Sequence, residues 1–203
     1  MKPGIVGKVA RRGSLTRGLL LFVVLVLVPV MEGCAGNVKK SWAEEVALDD
    51  GTVIVVDRFV EYQTSESWAG DIHGTKEIAS RLSFRGELSK LPPWNMLLVP
   101  LLLYRDSPSG EWVVVASAFS CEAARERGNP RNLYWEFRLR ERVWEGVALQ
   151  ASSFGRKTNL YFMYEAPLSN KFLTLAAKEE IVASRRVGKK FLFIDEKYRS
   201  NCN

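Results

Sequence analysis

Glu44-Glu45-Val46-Ala47-Leu48-Asp49-Asp50-Gly51-Thr52-Val53-Ile54-Val55-Val56-Asp57-Arg58-Phe59-Val60-Glu61-Tyr62 is the stretch that decides the fold class. An Asp-Gly pair between two apolar runs is the strongest short-range hairpin signal, because glycine enters the left-handed region that a tight reversal needs. The run after the turn sets Val53, Val55, Asp57 and Phe59 on one side and Ile54, Val56, Arg58 and Val60 on the other. Apolar residues on both sides predict a central strand, covered on two faces.

Downstream, Thr64 to Lys76 reads as a Gly- and Ser-containing loop, and Ile78, Ser80, Leu82 and Phe84 alternate with Ala79, Arg81, Ser83 and Arg85 as a half-buried strand. After the break Leu91-Pro92-Pro93-Trp94, the apolar run Asn95 to Arg105 contains Pro100, which cannot donate to a ladder and so predicts an edge strand or two strands meeting at a kink. Asp106-Ser107-Pro108-Ser109-Gly110 is a turn by composition, and Glu111 to Ala116 returns as the partner. Glu122 to Arg127 makes one or two helical turns, ended by Gly128-Asn129-Pro130.

Leu133 to Leu139 and Arg142 to Leu149 form another hairpin, with Tyr134, Glu136 and Arg138 on one side and Trp135, Phe137 and Leu139 on the other, an in-out alternation. Leu160 to Tyr164 reads as a short aromatic strand and Phe191 to Ile194 as a last one. The one persuasive helix is Leu175 to Arg185, with Thr174 as N-cap and Ile181 and Val182 toward the core. The pattern predicts a mainly β protein: one antiparallel β-rich domain over residues 42–203, a sandwich or an open barrel-like meander, with one helix in its C-terminal half; α+β is the alternative class. Turn-then-strand units recur without a fixed period, which argues against a propeller or solenoid.

Upstream of that domain the chain changes character. Residues 1–17 carry Lys2, Lys8, Arg11, Arg12 and Arg17 and no acid, and the apolar run Leu19 to Met31 follows, 13 residues long. A secretory signal has this layout, with an apolar region of roughly 7 to 15 residues, whereas a spanning helix needs about 20. An uncleaved anchor is the alternative.

The run ends in Met31-Glu32-Gly33-Cys34, a small residue directly before a cysteine. This resembles a bacterial lipobox, with Met31 where Leu is usual and Glu32 where a small or β-branched residue is usual. The resemblance implies that residues 1–33 are a signal peptide, that Cys34 receives a diacylglycerol thioether and an acylated amino group, and that residues 34–41 tether the domain to membrane lipid. Ala35 after the lipidated cysteine implies sorting to the outer membrane, facing the periplasm. Ser41-Trp42-Ala43-Glu44-Glu45-Val46 with the later Pro92-Pro93-Trp94 also resembles a loose group of proteobacterial envelope proteins, a resemblance that brings no activity or site residue with it.

The full chain has 203 residues, 47% apolar and 26% charged, neither a disordered tail nor a polytopic membrane protein. Its net charge of +6 belongs mostly to the signal: residues 1–33 hold five of the 29 cations and one of the 23 acids, which leaves 24 against 22 on the remainder. A nucleic-acid partner loses its support at +2.

Candidate chemistry is sparse. With Cys34 lipidated, the remaining cysteines are Cys121 and Cys202, which an exported compartment allows to form a disulfide; two free thiols are the alternative. His73 is the single histidine, and neither a nucleophile elbow nor a zinc ligand set accompanies it. Gly70 to Lys76 has the residues of a phosphate loop in the wrong order and spacing. The acid pairs Glu44-Glu45, Asp49-Asp50 and Glu179-Glu180 read as solvated faces, since adjacent acids on a strand diverge. No cofactor, metal site or catalytic residue is predicted.

Of six tryptophans, Trp112, Trp135 and Trp144 fall within predicted strands and read as core, while Trp68 and Trp94 fall in loops and are the candidate ligand or partner contacts. The cations Arg185, Arg186, Lys189, Lys190, Lys197 and Arg199 read as a solvated rim near the helix end. The expected function is a non-catalytic binding or interaction module of the cell envelope, with an envelope protein or glycan as partner. An envelope hydrolase acting on glycan or lipid is the alternative, distinguished by a concave pocket holding convergent ionisable groups.

Overall fold

A computed structural model describes residues 36–66, 72–118, 121–128, 132–162, 172–184 and 191–199. The chain divides into two compact units, Met1–Cys34 and Ala35–Asn203, and every described residue belongs to the second. It is mainly β, as its alternation predicts.

The opening hairpin pairs β1 (Gly36–Ala47) with β2 (Val53–Glu66) in one unbroken register from Ala47↔Val53 to Gly36↔Thr64. Its turn is closed by Leu48 N–H to Thr52 O (2.8 Å) and Gly51 N–H to Leu48 O (3.0 Å), with Gly51 at φ 84°, where a side chain would be strained. β3 (Ile72–Phe84) and β4 (Trp94–Met96) continue the sheet, and β9 (Phe172–Leu173) joins β1 in parallel, giving the order β4-β3-β2-β1-β9. β2 is central, as predicted. The expected loop over 64–76 is mostly ladder instead: β2 runs on to Glu66 and β3 starts at Ile72, with register shifts at Glu61/Tyr62 and Ser65/Glu66 absorbing the irregular sequence.

The second sheet has the order β5-β6-β7-β8, from β5 (Val99–Arg105), β6 (Trp112–Ser117), β7 (Tyr134–Arg140) and β8 (Val143–Val147). β5 is an edge strand and its register slips between Pro100 and Leu102, which is where proline's missing donor is tolerated. β7 and β8 turn through Glu141 (φ 46°) and Arg142 (φ 68°), two non-glycine residues in the left-handed region. A short helix α1 (Cys121–Glu126) lies between β6 and β7, and α2 (Leu175–Ser184) follows β9.

Three layers result. Val46, Val56, Leu82 and Trp94 of the first sheet pack against Leu103, Val114, Ala116 and Phe137 of the second. The other face of the second sheet, with Leu102, Tyr104, Val113, Val115 and Tyr134, is covered by Phe162, Phe191, Ile194 and Tyr198 from irregular chain. Beyond the reach of the second sheet, Trp42, Val60 and Tyr62 are covered by Tyr161, Leu173 and the Ala177 and Ile181 side chains of α2.

The third layer accounts for two misread segments. Residues 160–162 and 191–194 are not ladder strands; Lys157↔Phe193 is a single bridge, and the Asn159 amide clamps the chain to β5 by accepting from Leu103 N–H (2.9 Å) and donating to Leu103 O (2.7 Å). The layer also overturns the in-out reading of β7, because Tyr134, Glu136 and Arg138 are buried beneath it.

Candidate functional site: the groove beside the C-terminal helix

Of the expected tether over residues 34–41, residues 36–41 are part of β1. Lys39 points to solvent and approaches Glu61 at 3.5 Å. Trp94 is not a surface contact: it opens β4, is fully buried in the core, and stacks edge-on against Phe137 at 5.6 Å. The two preceding prolines break the sequence pattern without exposing the residue that follows. Trp68, Cys34, Cys202, Asp71 and the cations at 185–190 lie outside the described residues, as does the side chain of His73 in β3. Cys121 opens α1 and is disulfide-bonded. Its partner falls outside the described residues, so pairing with Cys202 stays a proposal. Trp112, Trp135 and Trp144 are half-buried against the main core, as predicted.

Glu44 is the largest departure from the sequence reading. It is fully buried on the inner face of β1 rather than solvated. Its carboxylate accepts from Arg58 Nη1 (2.9 Å), the Tyr161 backbone N–H (2.8 Å) and Lys178 Nζ (3.1 Å). Arg58 also donates to Tyr161 O (3.2 Å) and lies over the Trp42 ring at 5.2 Å, but its Nε and Nη2 have no hydrogen-bond partner. A buried charge persists only when paired, and here one carboxylate serves two cations.

The same edge of β1 seats α2. Thr174 Oγ1 accepts from Ala177 N–H (3.2 Å), the predicted N-cap, and Glu45 accepts from Leu175 N–H (2.9 Å), placing a carboxylate at the helix's positive end. Lys178 then reaches back to β1. Beside it runs a groove of about 550 Å³ between α2 and residues 157–162. Its lining includes the apolar Leu48, Leu160, Phe162, Leu175, Val182 and Leu192 and the charged Asp49, Lys157, Lys178 and Glu179. That volume is in the range of small-molecule sites, and the lining is mainly apolar.

Of the charged groups lining the groove, Lys178 is the buried one. Burial pushes its ammonium below the ordinary lysine range, while the Glu44 carboxylate opposes that shift. A nucleophilic lysine needs a free lone pair, and this ammonium spends all three protons, on Glu44 Oε2, Glu45 O and Asn159 O (2.6 Å). Releasing the lone pair would strand those acceptors. Lys178 therefore fixes the groove's floor.

A second polar cluster lies under the third layer. Arg138 donates to Glu136 Oε1 (2.7 Å), Asp106 Oδ2 (3.0 Å), Glu111 Oε2 (3.0 Å) and Ser152 Oγ (3.2 Å). The other Glu136 oxygen accepts from Gln150 N–H (2.9 Å) and Ser153 Oγ (2.8 Å), and Tyr104 meets Ser153 at 3.0 Å. Arg140 and Arg138 hold the Glu111 carboxyl down to about 2. Both Glu136 oxygens are engaged, as is each Arg138 guanidinium nitrogen, so the cluster pins the 150–153 turn to β7. Among the described residues no group of three His, Cys, Asp or Glu side chains forms a metal site, and no helix is long and apolar enough to cross a membrane.

Sequence reasoning missed both clusters, although each left a signal. Glu136 and Arg138 are opposite charges two apart on a strand, hence on one face. The register set by the Asp-Gly turn puts Trp42 opposite Arg58 and Glu44 opposite Val56, which brings Glu44 and Arg58 to diagonal positions on one face.

In comparisons with known proteins no family model, no curated protein and no solved structure matches this chain.

Proposed function

We propose that this chain is a lipid-anchored protein of the bacterial cell envelope whose folded body is a non-catalytic binding module, with the groove beside α2 as the seat for a small, largely apolar ligand. The observation that carries the binding reading is the groove itself: about 550 Å³, with a mainly apolar lining that also includes Asp49, Lys157 and Glu179, and with its buried Lys178 committed to three acceptors. The anchoring half is supported by the sequence, through the basic start, the 13-residue apolar run and Gly33-Cys34. Ala35 favours the outer membrane and a body facing the periplasm.

The groove is tested with anilinonaphthalene sulfonate as probe, on the purified full-length protein. Saturable one-site fluorescence is expected, with affinity reduced about tenfold or about 1.4 kcal/mol in Ala183→Trp, which fills the groove from an exposed helix position. Probe binding that is not saturable, or that is unchanged in a normally folded Ala183→Trp, would overturn the reading.

A further inference from the structure

We infer that the pocket where α1 ends against the β7-β8 face is a second binding site, for a small carboxylate with an aromatic or branched apolar body, and that Arg127 holds the carboxylate. The pocket has a volume of about 550 Å³ and is lined by Leu97, Arg127, Trp135, Phe137, Gly146 and Val147, with Glu126 beside them. It shares no lining residue with the groove beside α2. Phe137 pairs with Val114 on one side and with Gly146 on the other, so β8 passes the ring without placing a side chain next to it. A Cβ at Gly146 would meet the Phe137 ring at 3.6 Å, an ordinary contact, and Gly146 is not among the residues at positive φ. Neither crowding nor backbone conformation demands glycine here. Its effect is to keep the pocket open, and a strand glycine of this kind suits close approach by another group.

Arg127 supplies the charge. It is half-buried just past the end of α1, with Cζ 5.9 Å from the centre of the Phe137 ring and Nη2 donating to the Met96 sulfur at 3.5 Å. A guanidinium carries five N–H donors and a thioether is a weak acceptor, so most of its donor capacity is unused within the protein. Among the described residues no carboxylate forms an ion pair with Arg127. Burial pushes its pKa below the ordinary arginine range, and the adjacent Glu126 opposes that shift through space. Arg58, Arg85, Arg138 and Arg140, by contrast, each hold a carboxylate at 2.5 to 3.0 Å. A guanidinium partly withdrawn from water presents a planar fork that a carboxylate fits with two parallel hydrogen bonds. Leu97, Trp135 and Phe137 offer the apolar surface for the rest of the ligand. Glu126 in the same lining repels a second negative charge, which selects a monoanion over a dianion.

Calorimetric titration of 2-naphthoate into the purified full-length protein is the test, with 2-naphthamide as the uncharged analogue. A saturable site is expected for the naphthoate, with the naphthamide weaker by about tenfold or more, the scale of a lost hydrogen bond to a charged group. Arg127→Gln should weaken naphthoate by about the same factor. So should Gly146→Val, which fills the pocket from a strand position that accepts a side chain. Ala183→Trp, in the groove beside α2, should leave the Arg127-dependent site unchanged. Absence of saturable naphthoate binding, equal affinity for acid and amide, or full affinity in a folded Arg127→Gln or Gly146→Val protein would overturn the inference, as would binding lost in Ala183→Trp alone. The acid–amide comparison is made on the wild-type chain, so it decides the matter even where a substitution disturbs folding.

Discussion

Replacing Glu44 by glutamine tests whether the buried charges organise the α2 edge. The carboxylate accepts three hydrogen bonds, two of them from cations, at 2.8 to 3.1 Å. Glutamine fills the same volume but offers one acceptor oxygen and an NH2 group. If its oxygen serves Tyr161 N–H and Lys178, its NH2 faces Arg58 Nη1, donor against donor; the reverse placement strands Lys178. Either way a buried cation loses its counter-charge, and Arg58 already has two nitrogens without partners. Breaking a buried pair in this way costs about 3 to 5 kcal/mol. Set against a typical domain stability of about 5 to 15 kcal/mol, that is a fifth or more, or about 10 °C in Tm for a domain of this size. Urea unfolding of Glu44→Gln provides the measurement, with Glu61→Gln as control. Glu61 meets the exposed Lys39 at 3.5 Å, and its loss should cost less than about 1 kcal/mol. In a double-mutant cycle with Lys178→Met the two losses should fall short of additivity by about 1 kcal/mol or more. A Glu44→Gln cost as small as that of Glu61→Gln, or strict additivity with Lys178→Met, would refute the argument.

Three other outcomes follow from the same packing. Trp94→Ala should lose about 3 to 5 kcal/mol in urea unfolding, whereas Trp94→Phe keeps the contact with Phe137 while removing an indole N–H that has no partner, and should lose far less. Glu111 has a folded-state pKa of about 2 against an ordinary 4.5, so its stabilising contribution is complete above pH 4.5 and is lost as the pH falls toward 2; the stability–pH profile of Glu111→Gln should be flatter in that window when followed by thermal unfolding. The β7-β8 turn holds Glu141 and Arg142 at positive φ, and Glu141→Asn with Arg142→Gly should raise stability by about 1 kcal/mol in the same assay, with the fold unchanged by circular dichroism.

Local pattern made the strands legible, and layer order hid the site. Gly51 marked the first reversal, two-sided alternation marked β2 as central, and Pro100 marked an edge, because each is a property of the strand itself. The fate of Glu44, Glu136 and Arg138 depends on what lies above them, and periodicity contains no information about the covering layer. Glu136 and Arg138 look like a wet face until residues 150–162 and 191–199 fold over them. Trp94 was misplaced for the converse reason: a Pro-Pro break reads as loop, but a three-residue strand begins at once and puts the indole into the core. Of the groove, only α2 and its Thr174 cap were visible beforehand. Lys178, its floor, drew no notice, since a lysine on a polar-looking helix gives no sign that two backbone carbonyls and a buried carboxylate await it.

The anchoring of this body at Cys34 is tested most directly by the intact mass of membrane-extracted protein from the native host, wild type against Cys34→Ala. The account predicts the mass of residues 34–203 plus acyl chains for the wild type, and loss of that species in the variant. A full-length, unacylated mass in the wild-type membrane fraction would contradict it.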